Sequence, residues 1–367
     1  MPHRAIIALQ LILRPHVGLS KSRLETLCLI VVGMISARTV NLSHLACERP
    51  TTALVASTYR RLQRFFQHVR LGADWSAPLV VGLLGLDGPW RLALDRTQWK
   101  VGTRDVNILM LAVVTRRARV PLMWSVLDNN GGTSDTGQRT LLMRRYLAIF
   151  GAASIRLLLA DREFVGGAWM NFLNENNIPF AIRVKEKLIV TTEDGRSLTL
   201  GSVLRKCRGL RTFRAALGTS PGHDEAQSPL WLNFAARRLD DGSLLIIASN
   251  TPARAALAAY RKRWAIECLF GDTKTRGLNL EDTRLVTPRK LILLLGLVAL
   301  AVAWAAKAAA ILVGRKAPAR KTHGYLAKSW FRIGFDQLRR LLRHDPAAAV
   351  DPWGVIATAQ VRRPRVV

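Results

Sequence analysis

The sequence predicts an α/β protein: a mixed sheet with flanking helices, interrupted by a β-rich insertion, with helical elements at both ends of the chain. Three observations predict it. Between residues 89 and 185, short apolar strands alternate with amphipathic helical stretches. Residues 186–250 break into short strands separated by Gly, Asp, Ser and Pro. Residues 1–88 and the basic stretch KTHGYLAKSWFRIGFDQLRRLLRH read as helices. Hydrophobic residues make up 49% of the 367-residue chain, enough for a large core, which excludes a basic disordered tail.

The elements follow in order. In region 1–88, LSKSRLETLCLIVVGMISA has apolar residues at helical spacing behind a Ser20 cap. NLSHLACERPTTALVASTYRRLQRFFQHVR then gives a short helix, a turn at Pro50 and a second helix from about Ser57. That helix carries Arg60, Arg61, Arg64 and Arg70 beside a buried side of Leu62, Phe65 and Phe66. The pair suits a helix-turn-helix DNA reader or a purely structural helix pair. On the first reading, Arg60, Arg61 and Arg64 contact DNA.

In region 89–185, WRLALD is an apolar strand ending in Asp95. VNILMLAVVT and VPLMWSVL form a hairpin around the basic RRAR turn. TGQRTLLMRRYLAIFG is a helix capped by Ser134 or Asp135 and stopped by Gly151. IRLLLAD is a buried strand ending in Asp161, followed by the helix VGGAWMNFLNEN and the strand IPFAIRV. Three strands with a hairpin, then helix, strand, helix, strand match a ribonuclease-H-like core. Region 186–250 interrupts that core, region 251–316 resumes it, and region 317–367 is a basic helical end. Residues 291–314 are nearly long and apolar enough to span a bilayer, with Lys307 as their sole charge. Their alanine content and basic flanks fit a buried helix better than a membrane span.

The net charge of +30 calls for a polyanionic partner, nucleic acid first and an anionic membrane surface second. Cys28, Cys47, Cys207 and Cys268 form no CxxC pair, so neither a zinc module nor a disulfide framework follows, and a reducing cytoplasm fits. No HxxxH pair competes for a metal. The opening MPHRAIIALQLILRPH lacks a small-residue cleavage site, so no signal peptide is expected.

Asp95 and Asp161 are each the first polar residue after an apolar strand. If those strands are neighbours, two like charges meet and need a cation or a proton between them. A third carboxylate, Glu267, lies in YRKRWAIECLFGDTKTRGLNL, where Tyr260, Arg263, Glu267 and Lys274 fall on one helical stripe. Trp264, Ile266, Cys268 and Phe270 crowd its flanks. One reading is an Arg263–Glu267 helix ion pair, worth a few tenths of a kcal/mol. The other makes Glu267 the third ligand of a hard-oxygen site for one or two Mg²⁺. Such ions assist phosphodiester displacement by activating the attacking oxygen and stabilising the leaving one.

The spacing Y-x2-R-x3-E-x6-K resembles the signature of DDE transposases of the insertion-sequence-four group, bacterial cut-and-paste elements. LALDRTQW around Asp95, LADREF around Asp161 and the β-rich insertion before the glutamate look like the same family, and the resemblance covers nearly the whole chain. It implies a ribonuclease-H-like catalytic domain in which Asp95, Asp161 and Glu267 are the catalytic acids and bind Mg²⁺, with Mn²⁺ as a substitute. It further implies that Tyr260, Arg263 and Lys274 hold phosphates near the element end. The implied reaction cuts the element's ends and joins their 3′ hydroxyls to target DNA. The implied partners are double-stranded DNA and a second copy of the chain, in a bacterial cytoplasm at the nucleoid, with no membrane. Some members flip a base onto a tryptophan of the insertion; Trp231 is the one Trp in region 186–250, and it reads as a strand core residue. Two rival functions stay open: a metal-dependent nuclease without strand transfer, and a non-catalytic DNA-binding protein derived from a transposase.

Overall fold

A computed structural model describes residues 2–49, 52–115, 117–128, 132–218, 229–316, 318–319, 321–322, 326–354 and 356. In chain order the first helices are α1 (Pro2–Leu13), α2 (Lys21–Ala37), α3 (Leu42–Cys47), α4 (Val55–His68) and α5 (Ala77–Leu84). Strands β1 (Trp90–Val101), β2 (Arg104–Val114) and β3 (Arg119–Leu127) follow, then α6 (Thr136–Phe150), β4 (Ile155–Ala160), α7 (Gly167–Glu175) and β5 (Phe180–Val184). Next come β6 (Ile189–Thr192), β7 (Ser197–Thr199), α8 (Leu200–Val203), β8 (Arg211–Leu217), β9 (Trp231–Arg238) and β10 (Leu244–Ser249). The chain continues with α9 (Ala253–Tyr260), α10 (Trp264–Thr273), α11 (Pro288–Val313), α12 (Trp330–His344) and α13 (Pro346–Val350).

These elements form two compact units. One comprises Gly88–Asp95 and Gly132–Ile266, the other Met1–Asp87, Arg96–Gly131 and Glu267–Val367. In the first unit the strand order is β1-β4-β5-β10-β9-β8-β6-β7. The β1–β4 and β4–β5 pairs are parallel, and the remaining pairs are antiparallel. Parallel neighbours need a crossover, and α6 and α7 supply it. Helix α6 starts at a capping box, in which Asp135 accepts from Gln138 N and the Gln138 side chain accepts from Asp135 N. It ends at Gly151, whose φ is 72°. Of the two expected caps, Asp135 serves. Strands β6–β10 fall where the β-rich insertion was expected, and they carry the sheet onward, because β10 returns to pair with β5.

In the second unit β3, β2 and the later half of β1 lie side by side. The sequence predicts that the first strand stops at Asp95. Instead β1 runs on to Val101, because Gly102, with φ 61°, closes a tight turn that lets Arg96–Val101 form a hairpin with β2. Asp95 therefore lies within a strand.

The apolar helix α11 is long and apolar enough to cross a membrane, yet 89% of its most apolar stretch is buried by the protein itself. It packs against α2, α5, α12 and β3, and the Trp304 indole inside it donates to the Ala349 carbonyl at 2.8 Å. Helix α12 approaches it through Gly334, where a methyl group would overlap the Ala305 carbonyl. Gly334→Ala is expected to cost about 2 kcal/mol or more through overpacking, read as a lower urea midpoint. Gly18→Ala, in open space, is the control. A native midpoint for Gly334→Ala would mean that the two helices do not meet this closely.

Candidate active site

The parallel pairing of β1 with β4 sets Leu94 against Ala160, so Asp95 and Asp161 follow as neighbours one residue further on. Both are half-buried. Two carboxylates held this close favour a positive charge or a hydrogen-bond donor beside them. Both are supplied by the end of α9 and the turn after it. Tyr260 Oη donates to Asp161 Oδ1 at 3.2 Å, and Arg263 Nη1 donates to Asp95 Oδ2 at 3.1 Å. The Arg263 guanidinium also lies 5.8 Å from the centre of the Tyr260 ring.

Sequence periodicity predicts one continuous helix from about 252 to 276, and the structure departs from it. Between α9 and α10, residues Arg261–Arg263 form a 3-10 turn. In that geometry residues three apart eclipse each other, with a rise of about 6 Å over three residues. Tyr260 and Arg263 thus project in one direction at a separation close to the roughly 4.8 Å between neighbouring strands. Each reaches the aspartate of a different strand. The irregularity in the helix matches the two side chains to the aspartates of the two strands.

Burial pushes the Tyr260 phenol above its ordinary pKa; Arg263 pulls it back and the Asp161 carboxylate adds to the rise. The phenol stays protonated at neutral pH and remains a donor to Asp161. Replacing it with Phe is expected to leave Asp161 without that donor, and to lower activity while the fold persists. Cleavage and melting measured side by side on Tyr260→Phe check this, and native activity would show that the hydrogen bond is idle.

Sequence reading missed one contributor. Arg139 on α6 is 5% exposed. Its Nε donates to Ser134 Oγ at 2.9 Å, its Nη2 to the Glu163 carbonyl at 3.1 Å and also to the Ser134 carbonyl. The guanidinium sits 5.1 Å from the Phe164 ring centre, and Phe164 N donates to the Asp161 carbonyl at 2.9 Å. Arg139 therefore braces the loop that leaves Asp161. A signal existed: Arg139, Leu142, Met143 and Tyr146 form the buried i, i+3, i+4, i+7 face of α6, and an arginine on such a face needs partners.

In the other unit, Glu267 is half-buried in the first turn of α10. The expected apolar crowding is one-sided, because Ile266 is fully buried whereas Trp264 is 63% exposed. Arg263 itself forms the bridge to Asp95. Lys274 Nζ donates to the Gln98 carbonyl at 3.0 Å, pairs with Glu281 Oε1 at 2.8 Å and lies 5.7 Å from the Trp99 ring centre. Arg60 and Arg64 are exposed on α4. Arg61 is instead drawn into the fold: Nε to Thr26 Oγ1 at 2.8 Å, Nη1 to Glu25 Oε1 at 3.2 Å and Nη2 to the Ser22 carbonyl at 2.8 Å. Trp231, at the start of β9, is half-exposed with the Arg214 guanidinium 5.5 Å from its ring centre, so it is less buried than a strand core residue.

Asp95, Asp161, Tyr260 and Arg263 are thus brought together in one unit, and Glu267 and Lys274 belong to the other. Among the described residues, no group of three or more His, Cys, Asp or Glu side chains stands ready to enclose a metal. The neighbouring carboxylates Asp95 and Asp161 do offer the hard-oxygen donors that Mg²⁺ prefers.

Residues 87–304, well over half of the chain, match the family model of the transposase DDE domain. The chain belongs to that family. The matched span of the transposase contains Asp95, Asp161, Tyr260, Arg263, Glu267 and Lys274, whereas Arg60, Arg61 and Arg64 lie outside it. A comparison with curated proteins finds no match. The mixed α/β architecture, with its mainly antiparallel strand pairs and its helices, fits a DDE transposase domain.

Proposed function

We propose that this transposase is a cut-and-paste enzyme of the insertion-sequence-four group with a ribonuclease-H-like catalytic core. It cuts the phosphodiester bonds at the ends of its element and joins the 3′ hydroxyls to target DNA. The observation that carries this reading is the double clamp on the two neighbouring aspartates, Tyr260 on Asp161 and Arg263 on Asp95. Two of the signature residues, Tyr260 and Arg263, reach the two acids, which are far apart from them in sequence.

Asp95, Asp161 and Glu267 would hold Mg²⁺ or Mn²⁺. A bound divalent ion supplies Lewis-acid stabilisation of the attacking and leaving oxygens. Arg263 has a planar fork suited to phosphate as well as carboxylate, so it can trade Asp95 for a scissile phosphate. Lys274 offers a point charge to the same strand, and Tyr260 keeps Asp161 oriented. Two copies of the chain would hold the two element ends.

The test is a duplex carrying the DNA that flanks the reading frame, incubated with the purified protein in Mg²⁺. One defined cut at each end is expected; absence of any site-specific cut would remove the proposal. Binding to that duplex should also weaken steeply with salt, the log-log slope being about −0.9 for each phosphate neutralised. A flat dependence would mean that the charge of +30 is not spent on DNA.

A further inference from the structure

One groove in the unit that holds α4 takes no part in the site above. It has a volume of about 400 Å³, and its lining includes Asn41, Gln63, Arg64, Gln67, Arg284 and Lys290. Three of those six are cations and none is an acid.

The exposed face of α4 is ordered. Arg60, Gln63, Arg64 and Gln67 stand at i, i+3, i+4 and i+7 and are all exposed, while Thr58, Leu62, Phe65 and Phe66 are buried on the opposite side. A stripe that alternates guanidinium with amide has a chemical sense in a DNA groove. Arginine holds phosphate, and glutamine presents a donor and an acceptor matched to the edge of adenine. Asn41 is spent within the protein, since its Nδ2 donates to Asp282 at 3.1 Å and its Oδ1 accepts from Ser43 N at 3.1 Å. The Gln63 and Gln67 amides make no such bond to the described residues.

The opposite wall comes from the approach to α11. Arg284 is exposed and Lys290 half-buried. Between them, Arg289 pins this wall to the end of α4: its Nη2 donates to the Gln67 carbonyl at 3.1 Å and its Nη1 to the Val69 carbonyl at 3.5 Å. Arg289 is used for structure, and the cations on either side of it face the groove.

Building on the reading that this transposase acts on DNA, we propose that the groove is its sequence-reading site for duplex DNA. Gln63 and Gln67 read base edges, with adenine preferred, and Arg64, Arg284 and Lys290 hold the flanking phosphates. Arg61, buried in hydrogen bonds, only fixes α4 against α2.

The two roles leave different signatures. The full-length protein is used to select duplexes from a randomised library, and fluorescence anisotropy then follows binding of one selected and one unselected duplex across a salt series. Gln63→Ala and Gln67→Ala are expected to lower the preference for the selected duplex by about tenfold or more, with the salt slope unchanged. Arg284→Gln and Lys290→Gln are expected to weaken both duplexes alike and to flatten the slope by about one each. Arg284→Lys and Lys290→Arg should restore the slope. Native preference in both glutamine variants, or native slopes in Arg284→Gln and Lys290→Gln, would overturn the assignment while leaving the DNA reading intact. Failure of the native protein to bind any duplex would instead overturn that reading. Gln63, Gln67 and Arg284 are exposed and Lys290 is half-buried, and a melting curve confirms that each variant is folded.

Discussion

Asp161→Asn protein is expected to melt as the native protein does, to bind element-end DNA and to cut none of it. The same loss of cutting with retained binding is expected for Asp95→Asn and Glu267→Gln. Each change keeps the size of the side chain and removes the negative charge that a divalent ion requires. Loss of one ligand should remove several kcal/mol of transition-state stabilisation, about a thousandfold or more in rate. Asp95 and Asp161 differ in one respect. Asp95 carries the Arg263 bridge, with the two side chains 18% and 12% exposed, so Asp95→Asn should also change stability. Asp161 meets the neutral Tyr260 and should not. Cleavage of an end duplex in Mg²⁺, run beside thermal melting, reads both effects, and any of the three variants cutting at native rate would remove its residue from the site.

Arg263→Ala is expected to lose activity by about a hundredfold or more, since a scissile phosphate displaced by about 1 Å is enough for that. The Arg263–Asp95 bridge adds a second reason. Without the guanidinium, Asp95 stands beside Asp161 with less positive charge to offset the pair. Arg263→Lys should recover activity only in part, because an ammonium cannot reproduce bidentate geometry. Lys274→Ala should fall between, for Lys274 is shared with Glu281 and the Gln98 carbonyl. If Arg263→Ala melts and cuts normally, the turn after α9 is only a structural joint.

Much of the fold was legible because its signals are local. The strand at Ile155–Ala160, the capped helix Thr136–Phe150 and the buried face of Val55–His68 all follow from apolar period, cap and glycine stop. The order of strands and helices in 89–185 followed too. The end of β1 did not, because the decision belongs to β2 and the Gly102 turn, which a reading of WRLALD alone cannot weigh. The 3-10 turn at Arg261–Arg263 was hidden for a similar reason. The stripe Tyr260, Arg263, Glu267, Lys274 satisfies a straight helix, and only the spacing of two strands favours a tighter turn there. Charge without partners was the least legible feature. Arg60, Arg61 and Arg64 look alike in sequence, yet Arg61 is tied to Ser22, Glu25 and Thr26 while its neighbours face solvent.

The joining step separates a transposase from a nuclease on the same core. The decisive measurement mixes the purified protein, Mg²⁺, a duplex bearing the element end and a supercoiled target plasmid, and sequences the junctions formed. Junctions that link the 3′ end of the element to target DNA, made by the native protein and absent with Asp161→Asn, are the predicted result. Ends that are cut but never joined, or junctions that form equally well with Asp161→Asn, would contradict it.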